Sequence, residues 1–242
     1  MENKITWALI IINLIVFLLV FSLPEERREE VFKRFSFSQG TATEVWRWLT
    51  SIFLHLSASH VFLNMLGLYF FGKTLEEEVT RQWYLAIYFV SALLGNFVFM
   101  FTSPDQVAGA SGAVFGVMGA AMFLNPLKRV HLYLFPLPLG LVAILFAIFE
   151  TIVVVYHLNV GNVANIAHVA GMITGGMFAF FYNPKRSLNG LLVLIISVVL
   201  LLVLGPVFGI IIAIGGFIIQ IIDNVVGFVL YGIAKFLGFL WV

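Results

Sequence analysis

The sequence predicts an all-α polytopic membrane protein: a core of six spans, a seventh transmembrane helix and an apolar C-terminal helix. Three observations carry that expectation. Hydrophobic residues make up 62% of the chain and charged ones only 10%, with a mean hydropathy of +1.07, whereas about a quarter of the residues in a soluble domain are charged. The apolar residues gather into stretches close to the ~20 residues that cross a bilayer as a helix. Short polar segments at Lys73 to Arg81, Asn125 to Arg129 and Asn183 to Arg186 punctuate them, and no long soluble domain intervenes.

The core is expected over residues 1–186, with spans at 5–23, 52–71, 83–102, 111–124, 132–156 and 163–182. The first stretch is followed by Pro-Glu-Glu-Arg-Arg without a small-residue cleavage site, so it is expected to stay as a span. The loop 24–51 carries five basic residues offset by five glutamates up to Arg47, enough chain for a small structure of its own on the outer side. Beyond the core, residues 187–242 form an apolar extension. Its span at 191–214 is kinked at Pro206 and stopped by Gly215-Gly216. Over 216–240, Gln220, Asp223, Asn224, Gly227, Tyr231 and Lys235 make a narrow polar stripe at helical spacing. That stripe suits an amphipathic helix lying in the interface, or a further span whose stripe faces protein.

Orientation follows from the basic residues of the short loops. Lys4, Lys73, Arg81, Lys128, Arg129, Lys185 and Arg186 fall on the side of the N-terminus, and the third-to-fourth and fifth-to-sixth loops carry no Lys or Arg. The N-terminus is therefore expected in the cytoplasm. The net charge of +1 and the absence of basic tracts give no reason to expect nucleic acid, and the absence of cysteine excludes disulfide and thiol chemistry.

Polar groups at membrane depth are costly, so each asks for a partner or a function. Val107 to Gly119 places Ser111 between Gly109 and Gly112, where a polar loop turns into an apolar helix. A helix N-terminus favours developing negative charge, and flanking glycines admit close approach. A serine capping a helix is the plainer reading of the same residues. Depth separates the two. The fourth span has 14 residues from Ser111 to Leu124, about 21 Å of helix against a core of about 30 Å, which sets Ser111 about 10 Å beneath the outer surface. His168 follows Val163 by five residues, about 8 Å down its span. His60 and Asn64 share one face of the second span at i, i+4, at similar depth.

The spans also carry the means to meet. Gly112, Gly116 and Gly119 line one face of the fourth, and Ala167, Gly171 and Gly175 line one face of the sixth; such ridges allow close contact in membranes. A lone transmembrane histidine is most simply a hydrogen-bonded packing residue. Three helices that bring a hydroxyl, an imidazole and a His-Asn pair to one layer call for chemistry instead. The fitting chemistry is attack by Ser111 with His168 as general base and then acid. The Ser111 N–H, the Asn64 amide and His60 would hold the oxyanion. No Asp or Glu is placed to orient His168, so a dyad fits better than a triad, and Glu150 is read as reaching toward the interface. His60 and Asn64 lack a nearby carboxylate or thiol, which speaks against a metal site. His55, Ser57, Ser59, Asn165 and the loop Ser103 to Gln106 are expected to line a water-filled cavity.

These segments resemble the rhomboid family of intramembrane serine proteases from about Glu44 to Phe181. Gly109-Ala110-Ser111-Gly112 is similar to the family's nucleophile motif, and Ala167-His168-Val169-Ala170-Gly171 with Gly175 to its histidine motif. His60 with Asn64 matches its His-x-x-x-Asn pair, Trp46-Arg47 its first-loop signature, and Gly72 with Glu76 the pattern closing the second span. Phe115 stands where some bacterial members have a tyrosine stacked on the catalytic imidazole; Phe keeps the stacking face and loses the hydroxyl. The resemblance implies a rhomboid-like six-helix core and hydrolysis of peptide bonds in single-pass transmembrane substrates near their outer ends, without metal or cofactor. It assigns Trp46 and Arg47 a structural role in a loop partly in the outer leaflet. Gly109 and Gly112 are expected beside the oxyanion, with Phe115 and Gly171 in support. Substrates are expected to arrive sideways from the lipid, past the fifth span and the loop Tyr156 to Asn162. The partners implied are transmembrane substrates and the bilayer; the sequence leaves the oligomeric state open. Small size and few extra segments point to a prokaryotic cell membrane. The rival readings are a non-catalytic rhomboid-like scaffold that binds membrane clients, and a small transporter. Both predict that Ser111→Ala leaves function intact.

Overall fold

The computed structural model describes residues 4–132, 135–155 and 165–203, together with Gln220 and Asn224. Two compact units divide the chain after Ile195, and the site described below belongs wholly to the first. The side chain of Glu150, the loop Tyr156 to Asn162, the kink at Pro206 and, apart from Gln220 and Asn224, the helix at 216–240 lie outside the described residues.

Helix α1 (Lys4–Phe21) buries Thr6, Leu9, Ile10 and Asn13 at helical spacing and exposes Trp7, Ile11, Ile15 and Leu18, an apolar outer face suited to lipid. Its first turn is capped from a distance: the Glu76 carboxylate accepts the Ile5 N–H at 2.7 Å, the Thr6 N–H at 2.9 Å and the Thr6 hydroxyl at 2.6 Å. With its one proton so committed, the Thr6 oxygen accepts from the Tyr84 hydroxyl 3.0 Å away. Helix α2 (Glu25–Phe35) buries nothing. Acids in its first turn and bases in its last complement its dipole.

Helix α3 (Arg47–Thr50) runs into a 3₁₀ turn at Ser51–Phe53. The chain then bends by 94° before α4 (Ala58–Gly67), whose N-cap Ser57 accepts the His60 N–H. The span expected over 52–71 is therefore corrected. It is broken at 54–57 because Ser57 starts a new helix, and it continues through a π turn at Leu68–Gly72 into α5 (Lys73–Glu76). Helix α6 (Arg81–Phe99) follows, then α7 (Ser111–Leu124). Apolar on all sides, α7 is buried from Gly112 to Ala121 apart from the half-buried Phe115, as a helix without a polar face must be. It packs chiefly on α9 and α6.

The expected span at 132–156 is corrected at its start. Strands β1 (Arg129–Leu132) and β2 (Phe135–Pro138) pair antiparallel, Val130 opposite Leu137, and α8 (Leu139–Val155) begins only after them. Pro136 and Pro138 lack an N–H and disfavour helix at the residues before them. Helix α9 (Asn165–Tyr182) leads to α10 (Pro184–Val203), where Pro184 takes the first helical position and Asn183 Oδ1 accepts the Arg186 N–H. At the end of α7 remote from Ser111, Glu78 binds the Asn125 amide and Arg186, each at 2.6 Å, and Glu77 pairs with Lys128.

Among the described residues, Lys4–Phe21, Arg81–Phe99 and Pro184–Val203 are long and apolar enough to cross a membrane. The bent pair Arg47–Phe53 with Ala58–Glu76 amounts to a fourth, while Ser111–Leu124 is short. The architecture is that of a polytopic helical membrane protein.

Candidate active site

Ser111 opens α7, so its N–H belongs to a first turn without intrahelical acceptors. The two residues before it are tied down. Gly109, at φ 138°, is in a conformation that side chains resist. Its N–H donates to the Ser51 carbonyl at 2.9 Å, and the Ala110 N–H donates to His55 Nε2 at 3.4 Å. A Cβ added to Gly109 would stand 2.8 Å from His60 Cε1 and Nε2 and 3.8 Å from Asn64 Nδ2. His60 and Asn64, four residues apart on α4, thus both face the Gly109 peptide. Asn64 Nδ2 is buried without a hydrogen-bond partner among the described residues, an orphaned donor of the kind that costs about 1–3 kcal/mol.

His55, expected in a water-filled cavity, is instead 1% exposed. Nε2 accepts from Ala110 while Nδ1 lies 3.3 Å from the Phe53 carbonyl. Both contacts are satisfied by one neutral tautomer, protonated at Nδ1. Its ring stands edge-on to His60 with centroids 5.1 Å apart. It props the loop before Ser111 rather than lining a cavity.

Helices α7 and α9 approach as closely as backbones can. A Cβ at Gly171 would land on the Gly112 carbonyl oxygen, one at Gly175 on that of Gly116, and one at Gly119 on that of Met172. His168, buried on α9, stacks flat on Phe115 of α7, with centroids 4.4 Å apart and planes 5° off parallel. Phe115 lies one turn beyond Ser111 and meets Phe146 of α8 edge-on at 6.2 Å. Helices α7 and α9 therefore bring the serine turn and the imidazole to one end of a locked helix pair. Among the described residues, no three His, Cys, Asp or Glu side chains gather as a metal site would require.

The loop between α2 and α4 is organised by Arg47. Its guanidinium is buried, donating to Glu44 Oε2 at 2.8 Å and to the carbonyls of Lys33 at 2.6 Å and Ser36 at 3.2 Å. Trp46 shares this role less than expected. Its ring is 49% exposed beside Val45 and Leu49, and it is Trp48 that packs on Phe37 at 4.4 Å and donates to the Ala42 carbonyl. Phe37 in turn exchanges backbone hydrogen bonds with Val107, just ahead of the serine loop. Arg47→Ala leaves two inward carbonyls and a carboxylate unsatisfied. It is expected to destabilise the protein by about 2–3 kcal/mol, read as a lowered thermal midpoint in detergent, while exposed Arg27→Ala leaves the midpoint unchanged.

A family model for the Rhomboid domain matches residues 42–185, well over half of the chain. Among curated relatives, the rhomboid protease GlpG of Salmonella choleraesuis (strain SC-B67) is 30% identical over 181 residues, covering 74% of this chain and 63% of that protein. The rhomboid protease GlpG of Pectobacterium atrosepticum is 28% identical over 186 residues, 76% of this chain and 65% of that protein. The rhomboid protease GluP of Bacillus subtilis is 32% identical over 136 residues, 56% of this chain and 25% of that protein. The chain thus spans less than two thirds of the length of these relatives. The matched region runs from the loop ahead of Arg47 to the start of α10 and takes in α4, α7 and α9. With a domain match of that extent over these helices, the chain belongs to the rhomboid family.

Proposed function

We propose that this chain is an intramembrane serine protease that hydrolyses peptide bonds of single-pass transmembrane proteins near the outer face of the membrane. The observation that carries the reading is the flat stack of His168 on Phe115, one turn from Ser111, across an α7–α9 contact with no room for a side chain. Such a pair holds an imidazole at fixed height beside a hydroxyl at a helix N-terminus. The names of the GlpG and GluP relatives support the same activity.

In this mechanism His168 takes the Ser111 proton as Oγ attacks the scissile carbonyl carbon. The oxygen becomes an oxyanion and meets the Ser111 N–H, the Asn64 amide and His60. Its collapse breaks the C–N bond, and the imidazolium returns the proton to the leaving amine. Water, deprotonated by His168, then attacks the acyl carbon; the C–Oγ bond breaks and the imidazolium returns the proton to Ser111 Oγ. Gly109 lets the serine loop close on His60 and Asn64, and Gly112 lets α7 pack on α6 and α9 beside the serine, so the protein's own atoms, rather than the substrate backbone, occupy the space beside these two glycines. The exposed Val45, Trp46 and Leu49 suit a loop resting in the outer leaflet. The basic loops support a cytoplasmic N-terminus and a site opening outward, in a prokaryotic cell membrane as for the bacterial relatives. The partners are transmembrane substrates and the bilayer.

The test is labelling of the detergent-purified protein with a fluorophosphonate, in which a Ser111 Oγ–P bond forms as fluoride leaves. Wild type is expected to label, and Ser111→Ala and His168→Ala are expected not to. A folded, monodisperse wild type that stays unlabelled would overturn the protease reading in favour of a client-binding scaffold.

A further inference from the structure

The dipeptide Gly95-Asn96 of α6 touches the supports of both Ser111 and His168. A Cβ at Gly95 would stand 3.0 Å from the carbonyl oxygen of Ala167, the residue before His168. Asn96, turned about 100° further round the helix, is buried. Its amide donates to Ser51 Oγ at 3.2 Å and, less closely, to the Trp48 carbonyl at 3.4 Å. The carbonyl of the same Ser51 accepts the Gly109 N–H at 2.9 Å. A primary amide buried in a helix of this hydropathy is costly unless it is bonded. Here both of its bonds reach the segment that holds the serine loop.

Resting on the protease reading above, we infer that Asn96 is a positioning residue: through Ser51 it fixes the Gly109 peptide, and so aims the Ser111 N–H at the oxyanion. The loop geometry gives the reason. The Gly109 N–H is taken by Ser51 and the Ala110 N–H by His55. The next donor along the chain is the Ser111 N–H, at the head of the first turn of α7. Its direction depends on the two peptides before it: the Gly109 N–H is held from the 3₁₀ turn at Ser51 and the Ala110 N–H from His55, while α7 contributes the Val114 N–H to the Ala110 carbonyl at 2.9 Å. Asn96 supplies the link from that turn to α6, the helix that also abuts α9 beside His168. One rigid element thereby sets the height of the serine loop relative to the imidazole.

Asn96→Leu, close in volume but unable to donate, and Ser51→Ala, which removes the acceptor hydroxyl and keeps the carbonyl, are the test variants. Three readouts decide: the rate of fluorophosphonate acylation, kcat and KM on a reconstituted single-pass substrate, and hydrogen exchange of the segment 107–111. Each variant is expected to slow acylation and kcat about tenfold, to leave KM unchanged, and to speed exchange at 107–111. The double variant is expected to be no slower than either single one, because both break one link. Wild-type acylation and exchange rates in folded Asn96→Leu would overturn the inference, as would wild-type rates in Ser51→Ala should Asn96→Leu not fold. An unlabelled wild type is the failure of the protease reading instead; the exchange of 107–111 then still decides whether Asn96 fixes the loop.

Discussion

Ser111→Ala and His168→Ala are each expected to cut turnover of a reconstituted single-pass substrate by at least about a thousandfold, and the double variant to fall no further. The two groups act on one proton. Without the imidazole, the Ser111 hydroxyl at its ordinary pKa is a poor nucleophile; without the hydroxyl, the imidazole has nothing to activate in the acylation step. Independent contributions would multiply to a millionfold loss, so the double variant separates a working pair from two unrelated structural residues. Phe115 sharpens the measurement. It touches the imidazole face at 4.4 Å without a polar atom of its own, so Phe115→Leu should lower kcat modestly through ring mobility while labelling persists. Additive losses in the double variant, or residual turnover above a hundredth of wild type in either single one, would count against the dyad.

Gly171→Leu is expected to lower the thermal midpoint by the equivalent of about 3 kcal/mol and to cut turnover about a hundredfold. Even the first carbon of the new side chain would stand only 2.2 Å from the Gly112 carbonyl oxygen. That atom is backbone, in a helix packed between α6 and α9, and cannot swing away. The two helices must part by more than an ångström, and the parting carries His168 away from the turn that bears Ser111. Ile173, two residues on and 59% exposed, provides the contrast: Ile173→Ala should change neither readout. A Gly171→Leu protein with wild-type midpoint and turnover would mean that α9 is free to slide on α7. The stack with Phe115 could not then be what holds the imidazole in place.

Much of this arrangement is legible in the amino-acid sequence because it is periodic and local. The small residues at Gly112, Gly116 and Gly119, and at Ala167, Gly171 and Gly175, repeat every three or four positions and can serve little but close contact. The turn into α7 is announced by a polar loop meeting an apolar run. What hydropathy cannot tell is whether an apolar run is helix or strand. Residues 132–138 read as the start of a span until the two prolines are weighed, and 52–57 read as helix although Ser57 begins a new one. Long-range polar contacts leave even less trace. His55 sits among apolar residues and resembles a lining residue, and nothing in the neighbourhood of Asn96 points to Ser51, 45 positions earlier. The tryptophans on either side of Arg47 are equally opaque: the packing on Phe37 and the bond to the Ala42 carbonyl distinguish Trp48 from Trp46.

The carboxylate of Glu76 that caps the first turn of α1 has a bearing on biogenesis. The ribosome delivers α1 before α5, so the Ile5 and Thr6 N–H groups meet their acceptor only about seventy residues later. Until α5 has emerged, that helix end has water or headgroups for partners and no fixed neighbour. The first turn of α1 therefore stays uncapped until the turn carrying Glu76 closes over it. A nascent chain arrested before residue 76 would hold an inserted but unanchored α1. Release past that point would cap this helix end in a single step, since one side chain satisfies two backbone donors and the Thr6 hydroxyl together.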